Sequence, residues 1–182
     1  MEQRDPEVEA DVAERMRGVR LLCLDVDGVL TDGGLHYDDR GGEGKVFCTQ
    51  DGQALKMLRS TGVDCAIITG RRSDVVRRRA QELSIGHLYE GVEDKRTALA
   101  ELCAKTGLDA AAIAHVGDDI PALPLFRRVG LACAPSNLHP ALRPFVHLVT
   151  EAAGGDGAVR EVCERIMRAQ GSWDDALAPY LE

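Results

Sequence analysis

Aromatic side chains are scarce in this chain: one Trp, three Tyr and three Phe make up 4% of its 182 residues. Hydrophobic residues nevertheless reach 45%, so the core has to be aliphatic, and the length suits one domain. Positive charge is also short. Twenty-two Lys and Arg against 30 Asp and Glu leave a formal charge of -8, which argues against a nucleic-acid partner. Any anion it handles must therefore meet a local cluster of cations or a metal. No apolar run nears the ~20 residues of a membrane span, and the acidic N-terminus has no apolar leader, so we expect no membrane partner and a cytoplasmic setting. The six cysteines form no C-x-x-C pair, which excludes a zinc knuckle and a dithiol redox motif. We expect reduced thiols that act as small hydrophobes. Internal repeats and low-complexity segments are absent as well.

Among what is present, one stretch stands out. The apolar run Leu21-Leu22-Cys23-Leu24 ends in Asp25-Val26-Asp27-Gly28. Two carboxylates one residue apart, at the end of a buried strand, are costly to keep there without a cation or a chemical task. An Asp-rich turn is the ordinary alternative. The rest of the chain decides between them.

The pattern predicts a short helix within 1–18, with Val8, Val12 and Met16 on one side, then a strand over about 19–26. A Gly- and Asp-rich hairpin over about 33–48 would stand over the strand end as a flap. A helix capped by Asp51 follows over 51–61, then a strand over 63–69 and an Arg-rich helix capped by Ser73 or Asp74. Further strands are expected at 87–90, 113–116, 130–134 and 146–149. They alternate with helices at 95–106, 121–128 and 159–169, and a tail (172–182) carries Trp173, Leu177 and Tyr180. Alternating strands and helices give an α/β fold, a doubly wound parallel sheet whose ligand site lies beyond the carboxyl ends of the strands.

Every candidate group falls at that end. Asp25 and Asp27 follow the first strand, Thr69-Gly70-Arg71 the second, and Gly117-Asp118-Asp119 a later one, while Lys95 opens a helix between them. Together they suit phosphoryl transfer to a carboxylate. Asp25 would be the nucleophile, and Asp27 would protonate the leaving alcohol and then deprotonate water. Thr69 and Lys95 would hold the phosphoryl oxygens. Asp25, Asp118 and the backbone oxygen of Asp27 would bind Mg²⁺, with Asp119 behind them orienting Lys95 or a metal-bound water.

These motifs resemble those of the haloacid-dehalogenase superfamily: Asp25 to Gly33 for the first, Ile67 to Arg71 for the second, Lys95 for the third and Val116 to Asp119 for the fourth. Within it, Gly42 to Phe47 leading into Asp51-Gly52, His87-Leu88-Tyr89, and Ala153 to Val162 are similar to the small subfamily containing 3-deoxy-manno-octulosonate 8-phosphate phosphatase. The resemblance spans about residues 18–171. It implies a domain over 19–171 with a flap and no large cap, Mg²⁺ dependence, and a phosphorylated 2-keto-3-deoxy sugar acid as substrate. It also implies a homotetramer that packs its flaps together, and a place in lipopolysaccharide biosynthesis. By the same analogy Gly70, Arg71, Thr31 and position 50 would bind substrate. The subfamily commonly has arginine just before the Asp-Gly, where this chain has Gln50. A glutamine cannot charge-pair with the sugar carboxylate, so a nine-carbon sialic-acid-like 9-phosphate or another sugar-acid phosphate stays open beside the eight-carbon 8-phosphate.

Two readings of another class compete. A phospho-accepting receiver uses similar residue types, but its phosphorylated Asp sits on a later strand and Asp27 would have no role. A non-catalytic oligomerisation module would not need every catalytic residue type, and this chain keeps them all.

Overall fold

A computed structural model describes residues 6–181, with side chains from residue 9 onward. Residues 1–5, and the side chain of Val8 expected on the inner face of the first helix, lie outside the described set. Six parallel strands form the sheet: β1 (Leu21–Leu24), β4 (Asp64–Ile68), β5 (His87–Tyr89), β6 (Ile113–Val116), β7 (Leu131–Ala134) and β8 (Leu148–Val149). Their order is β5-β4-β1-β6-β7-β8. The hairpin β2 (His36–Tyr37) and β3 (Glu43–Gly44) is a separate two-stranded sheet.

Strand alternation sorts β1 between two cores. Leu22 and Leu24 pack with α1 (Pro6–Gly18), α2 (Thr49–Ser60), α3 (Asp74–Glu82), α6 (Ala158–Ala169) and α7 (Trp173–Leu177). Leu21 and Cys23 face α4 (Lys95–Thr106) and α5 (Leu123–Phe126) on the other side. Every residue of β1 is fully buried, as expected for a central strand covered on both faces. Leu24 aligns with Ile67 of β4 and with Val116 of β6. The chain therefore leaves β1, β4 and β6 at one level, side by side, and that register gathers the site.

Helix ends account for the placement of Lys95. Asp94 caps α4 by accepting the Arg96 N–H at 2.9 Å, and Gly107 closes the helix at φ 71°. Elsewhere the sequence expectations need correction. Helix α2 begins at Thr49, so Asp51 lies inside its first turn and does not cap it. Asp51 is instead 1% exposed and accepts the Arg160 N–H at 2.8 Å, tying α2 to the start of α6. Burial raises its carboxyl above the ordinary range. The segment expected as one helix over 121–128 divides into a 3-10 turn (Ile120–Ala122) and α5. The tail folds back on its own chain: α7 buries Ala176, the Arg168 guanidinium lies 4.4 Å from the Trp173 ring centroid, and Gln53 donates to the Tyr180 hydroxyl at 2.6 Å. All six cysteines are free, four of them buried, and among the described residues no helix is long and apolar enough to cross a membrane.

His115 sits wholly buried in β6, with Nδ1 3.2 Å from the Cys23 carbonyl oxygen and its ring tilted against Phe126 at 5.6 Å. Burial, helped by the Lys95 charge, pushes its pKa down to about 3. The unfolded chain takes up this proton near pH 6.5 and the folded one does not. The contribution to stability is therefore complete above that pH and is lost as pH falls through the window down to about 3. Between pH 6 and 5, wild type should lose about 1 kcal/mol of stability relative to His115→Leu, read by urea melts at each pH. Equal pH slopes in the two proteins would refute it.

Candidate active site

Asp25 ends the strand by donating its N–H to the Val116 carbonyl at 3.0 Å. Its Oδ1 accepts the Val26 N–H at 2.8 Å, and its Oδ2 pairs with the Lys95 ammonium. Lys95 is 6% exposed, so its charge is committed to this cleft and not to solvent. Thr69 is 2% exposed and held at the end of β4 by its N–H bond to the Tyr89 carbonyl at 2.9 Å. Asp118 follows β6, and its own carbonyl accepts the His139 N–H at 2.7 Å. Burial first, and then the charge of Asp25, push the Asp118 carboxyl up to about 6.

The turn after β1 makes room for Asp118. Gly28 has φ 78°, and a Cβ there would lie 1.9 Å from Asp118 Oδ2. Only glycine meets both the left-handed backbone and the close approach. Behind this turn runs the Gly154–Gly155 segment. Gly155 donates to the Val29 carbonyl at 2.9 Å, Gly154 donates to Asn137 Oδ1 at 2.8 Å, and a Cβ on Gly154 would lie 1.8 Å from the Gly28 carbonyl oxygen.

A cleft of about 450 Å³ opens over these groups. Asp25, Asp27, Thr69, Gly70, Arg71, Lys95, Asp118 and Asp119 all line it. A larger cavity of about 620 Å³ between α1, α6 and the residues around β8 has Glu9 as the only acid among its described lining residues and shares no residue with this constellation. Thr31 and Gln50 are not brought to the cleft. Thr31 is 1% exposed, and its hydroxyl accepts the Gly33 N–H at 3.2 Å inside the turn. Gln50 is exposed on the first turn of α2. Asp119 does not orient Lys95; its Oδ1 accepts the Ile120 N–H at 2.7 Å and starts the 3-10 turn.

The flap adds residues that sequence reasoning missed. Lys45 reaches Asp27 Oδ1 at 2.5 Å and Glu43 Oε1 at 3.0 Å, with its side chain 1% exposed. The Arg71 guanidinium donates to the Tyr37 hydroxyl at 2.8 Å and lies 3.5 Å from Glu43 Oε1. Burial depresses the Lys45 ammonium, but its contacts with Asp27 and Glu43 outweigh that and raise it overall; the same lysine holds the Glu43 carboxyl below its usual range. The signal was available: residues 43 and 45 are two apart on an extended segment and so point the same way.

Among the described residues no group of three or more His, Cys, Asp or Glu side chains gathers into a metal cage. The oxygens at hand are the Asp25 and Asp118 carboxylates and nearby backbone carbonyls. That sparse, hard-oxygen set suits Mg²⁺, which keeps several waters and takes one or two carboxylates.

No protein-family model matches the chain. Curated relatives do. The chain is 42% identical over 169 residues to 3-deoxy-D-manno-octulosonate 8-phosphate phosphatase KdsC of Escherichia coli K12, covering 93% of this chain and 90% of that one. The solved structure of the Yersinia pestis 3-deoxy-D-manno-octulosonate 8-phosphate phosphatase superposes with a TM-score of 0.89 at 43% identity, over 90% of this chain and 89% of that one. The Moraxella catarrhalis phosphatase, solved in complex with magnesium ion, phosphate ion and KDO, gives a TM-score of 0.91 at 40% identity, over 93% of this chain and 98% of that one.

Proposed function

This chain belongs to the 3-deoxy-D-manno-octulosonate 8-phosphate phosphatase family of the haloacid-dehalogenase superfamily, and from that premise we propose that it hydrolyses that sugar-acid phosphate with Mg²⁺ through an aspartyl-phosphate on Asp25. The observation that carries the reading is the convergence of Asp25, Asp27, Thr69, Lys95 and Asp118 on one cleft.

Asp25 and Asp118, with the backbone oxygen of Asp27, would hold the cation. The raised Asp118 carboxyl supports this, because Lys95 is a single positive charge paired with Asp25 and a divalent ion would add the charge that two neighbouring half-buried carboxylates call for. When bound, Mg²⁺ would offset the repulsion between Asp25 and the phosphate dianion. Asp25 attacks phosphorus as Asp27 gives a proton to the departing sugar hydroxyl; Asp27 then takes a proton from the water that opens the acyl phosphate. Lys95, fixed at the start of α4, and the Thr69 hydroxyl face the oxygens on which charge spreads. Arg71, which lines the cleft, would meet the phosphate or the sugar acid. Exposed Leu35, Tyr37 and Val46 on the flap fit association of four chains through it, which light scattering tests. A cytoplasmic setting agrees with six free cysteines.

Phosphate release from a panel of sugar-acid phosphates, ranked by kcat/KM, tests the reading. We expect 3-deoxy-D-manno-octulosonate 8-phosphate to lead, EDTA to cut turnover at least about 100-fold, and Mg²⁺ to restore it. Metal-independent turnover, or a nine-carbon 9-phosphate in first place, would overturn the corresponding half. The nine-carbon alternative rested on Gln50, which lies outside the cleft of its own chain.

A further inference from the structure

We infer that Lys45 of the flap is the positioning residue that aims the Asp27 carboxyl at the leaving group, which makes the flap part of the acid–base apparatus and not only a cover. The inference rests on Asp27 being the acid of the proposed reaction.

A lysine on a short exposed hairpin would ordinarily extend into water. Here the neighbouring strand residues His36 and Tyr37 are exposed, yet the Lys45 side chain is 1% exposed. Burying an ammonium is costly unless it is paired, and Lys45 is paired twice, with Asp27 Oδ1 at 2.5 Å and Glu43 Oε1 at 3.0 Å. Lys45 is not among the residues that line the cleft. It stands behind Asp27, which does line it. Among the described residues no other group hydrogen-bonds the Asp27 carboxylate; the Arg71 Nε is 3.8 Å from Oδ2, beyond hydrogen-bond length.

The consequence is an assignment of oxygens. Lys45 occupies Oδ1, which leaves Oδ2 to exchange a proton with a bound ligand. As the ester P–O bond breaks and the phosphoryl group passes to an Asp25 oxygen, the proton on Asp27 Oδ2 moves to the departing alkoxide. Glu43 fixes the lysine from the far side, and the Arg71–Tyr37 bond keeps the flap seated independently of Lys45.

The test compares two leaving groups in the first turnover, before water attacks. A sugar hydroxyl needs the proton, whereas p-nitrophenolate leaves without one. Lys45→Met should slow first-turnover release from the sugar-acid phosphate about 100-fold while leaving the p-nitrophenol burst within about 3-fold. Lys45→Arg, which restores a cationic donor, should recover most of the loss. Should Lys45→Met not fold, Glu43→Gln, which keeps the lysine but removes its second anchor, should show the same split at about 10-fold. Equal loss on both substrates, or no loss on either, would overturn the inference while leaving the phosphatase reading intact. A wild-type enzyme that hydrolyses neither would instead bring down that reading, and this inference with it.

Discussion

Asp25→Asn is expected to abolish phosphate release, a fall of at least about 10,000-fold in kcat. A carboxamide of nearly the same size replaces the attacking oxygen, so no acyl phosphate can form. The structural effects oppose one another. Asp25 has two engaged oxygens, Oδ1 on the Val26 N–H and Oδ2 on Lys95. Asparagine can accept at only one of them, and its amide N–H₂ would face either a backbone N–H or an ammonium. That loss costs about 1–3 kcal/mol. Against it, removing the Asp25 charge relieves Asp118, whose carboxyl that charge helps push up. The melting temperature should therefore fall by no more than roughly 5 °C, too little to explain lost activity. Rapid quenching with hydroxylamine should trap a hydroxamate at residue 25 in wild type and nothing in the variant. A hydroxamate on any other carboxylate, or turnover retained by the variant, would remove Asp25 from its role.

The site was legible where its chemistry coincides with strand ends. Asp25, Thr69 and Asp118 each follow an apolar run that reads as a buried strand, and the parallel register of β1 with β4 and β6 makes them neighbours. Lys95 was legible as the opening residue of the helix expected over 95–106, which the structure caps with Asp94. What escaped the sequence was the set of contacts between segments distant along the chain. Lys45 meets Asp27 from 18 residues away, across a loop of Gly and Asp whose path local preferences do not determine. Asp51 looks like a cap because short acids favour helix starts, but α2 begins two residues earlier and α6 supplies its partner, 109 residues on. For Asp119 the motif leaves open Lys95 or a metal-bound water; the contact in the structure is from the backbone N–H of Ile120 to its Oδ1, a short-range bond the motif does not spell out. Gln50 and Thr31 were carried in by resemblance, and within one chain neither reaches the cleft.

Gly154→Ala is expected to lower kcat/KM about 100-fold, the scale of a misplacement near 1 Å, and to cost up to about 3 kcal/mol of stability. The new Cβ would lie 1.8 Å from the Gly28 carbonyl oxygen, 2.5 Å from the Gly28 carbonyl carbon and 3.1 Å from the Val29 nitrogen. All three are backbone atoms, so no side-chain rotation relieves the clash and one of the two segments must move. The Gly154 segment is held by its bonds to Asn137 and to the Val29 carbonyl. Displacement thus falls at least partly on the turn that carries Asp27 and packs against Asp118. Gly18→Ala is the matching control, since a Cβ there meets nothing within 4 Å, and it should change stability by less than about 0.5 kcal/mol. Activity is to be measured at a temperature where both variants are fully folded by circular dichroism, so that the comparison reads geometry and not the folded fraction. If Gly154→Ala keeps wild-type kcat/KM there, the turn after β1 does not depend on the segment behind it.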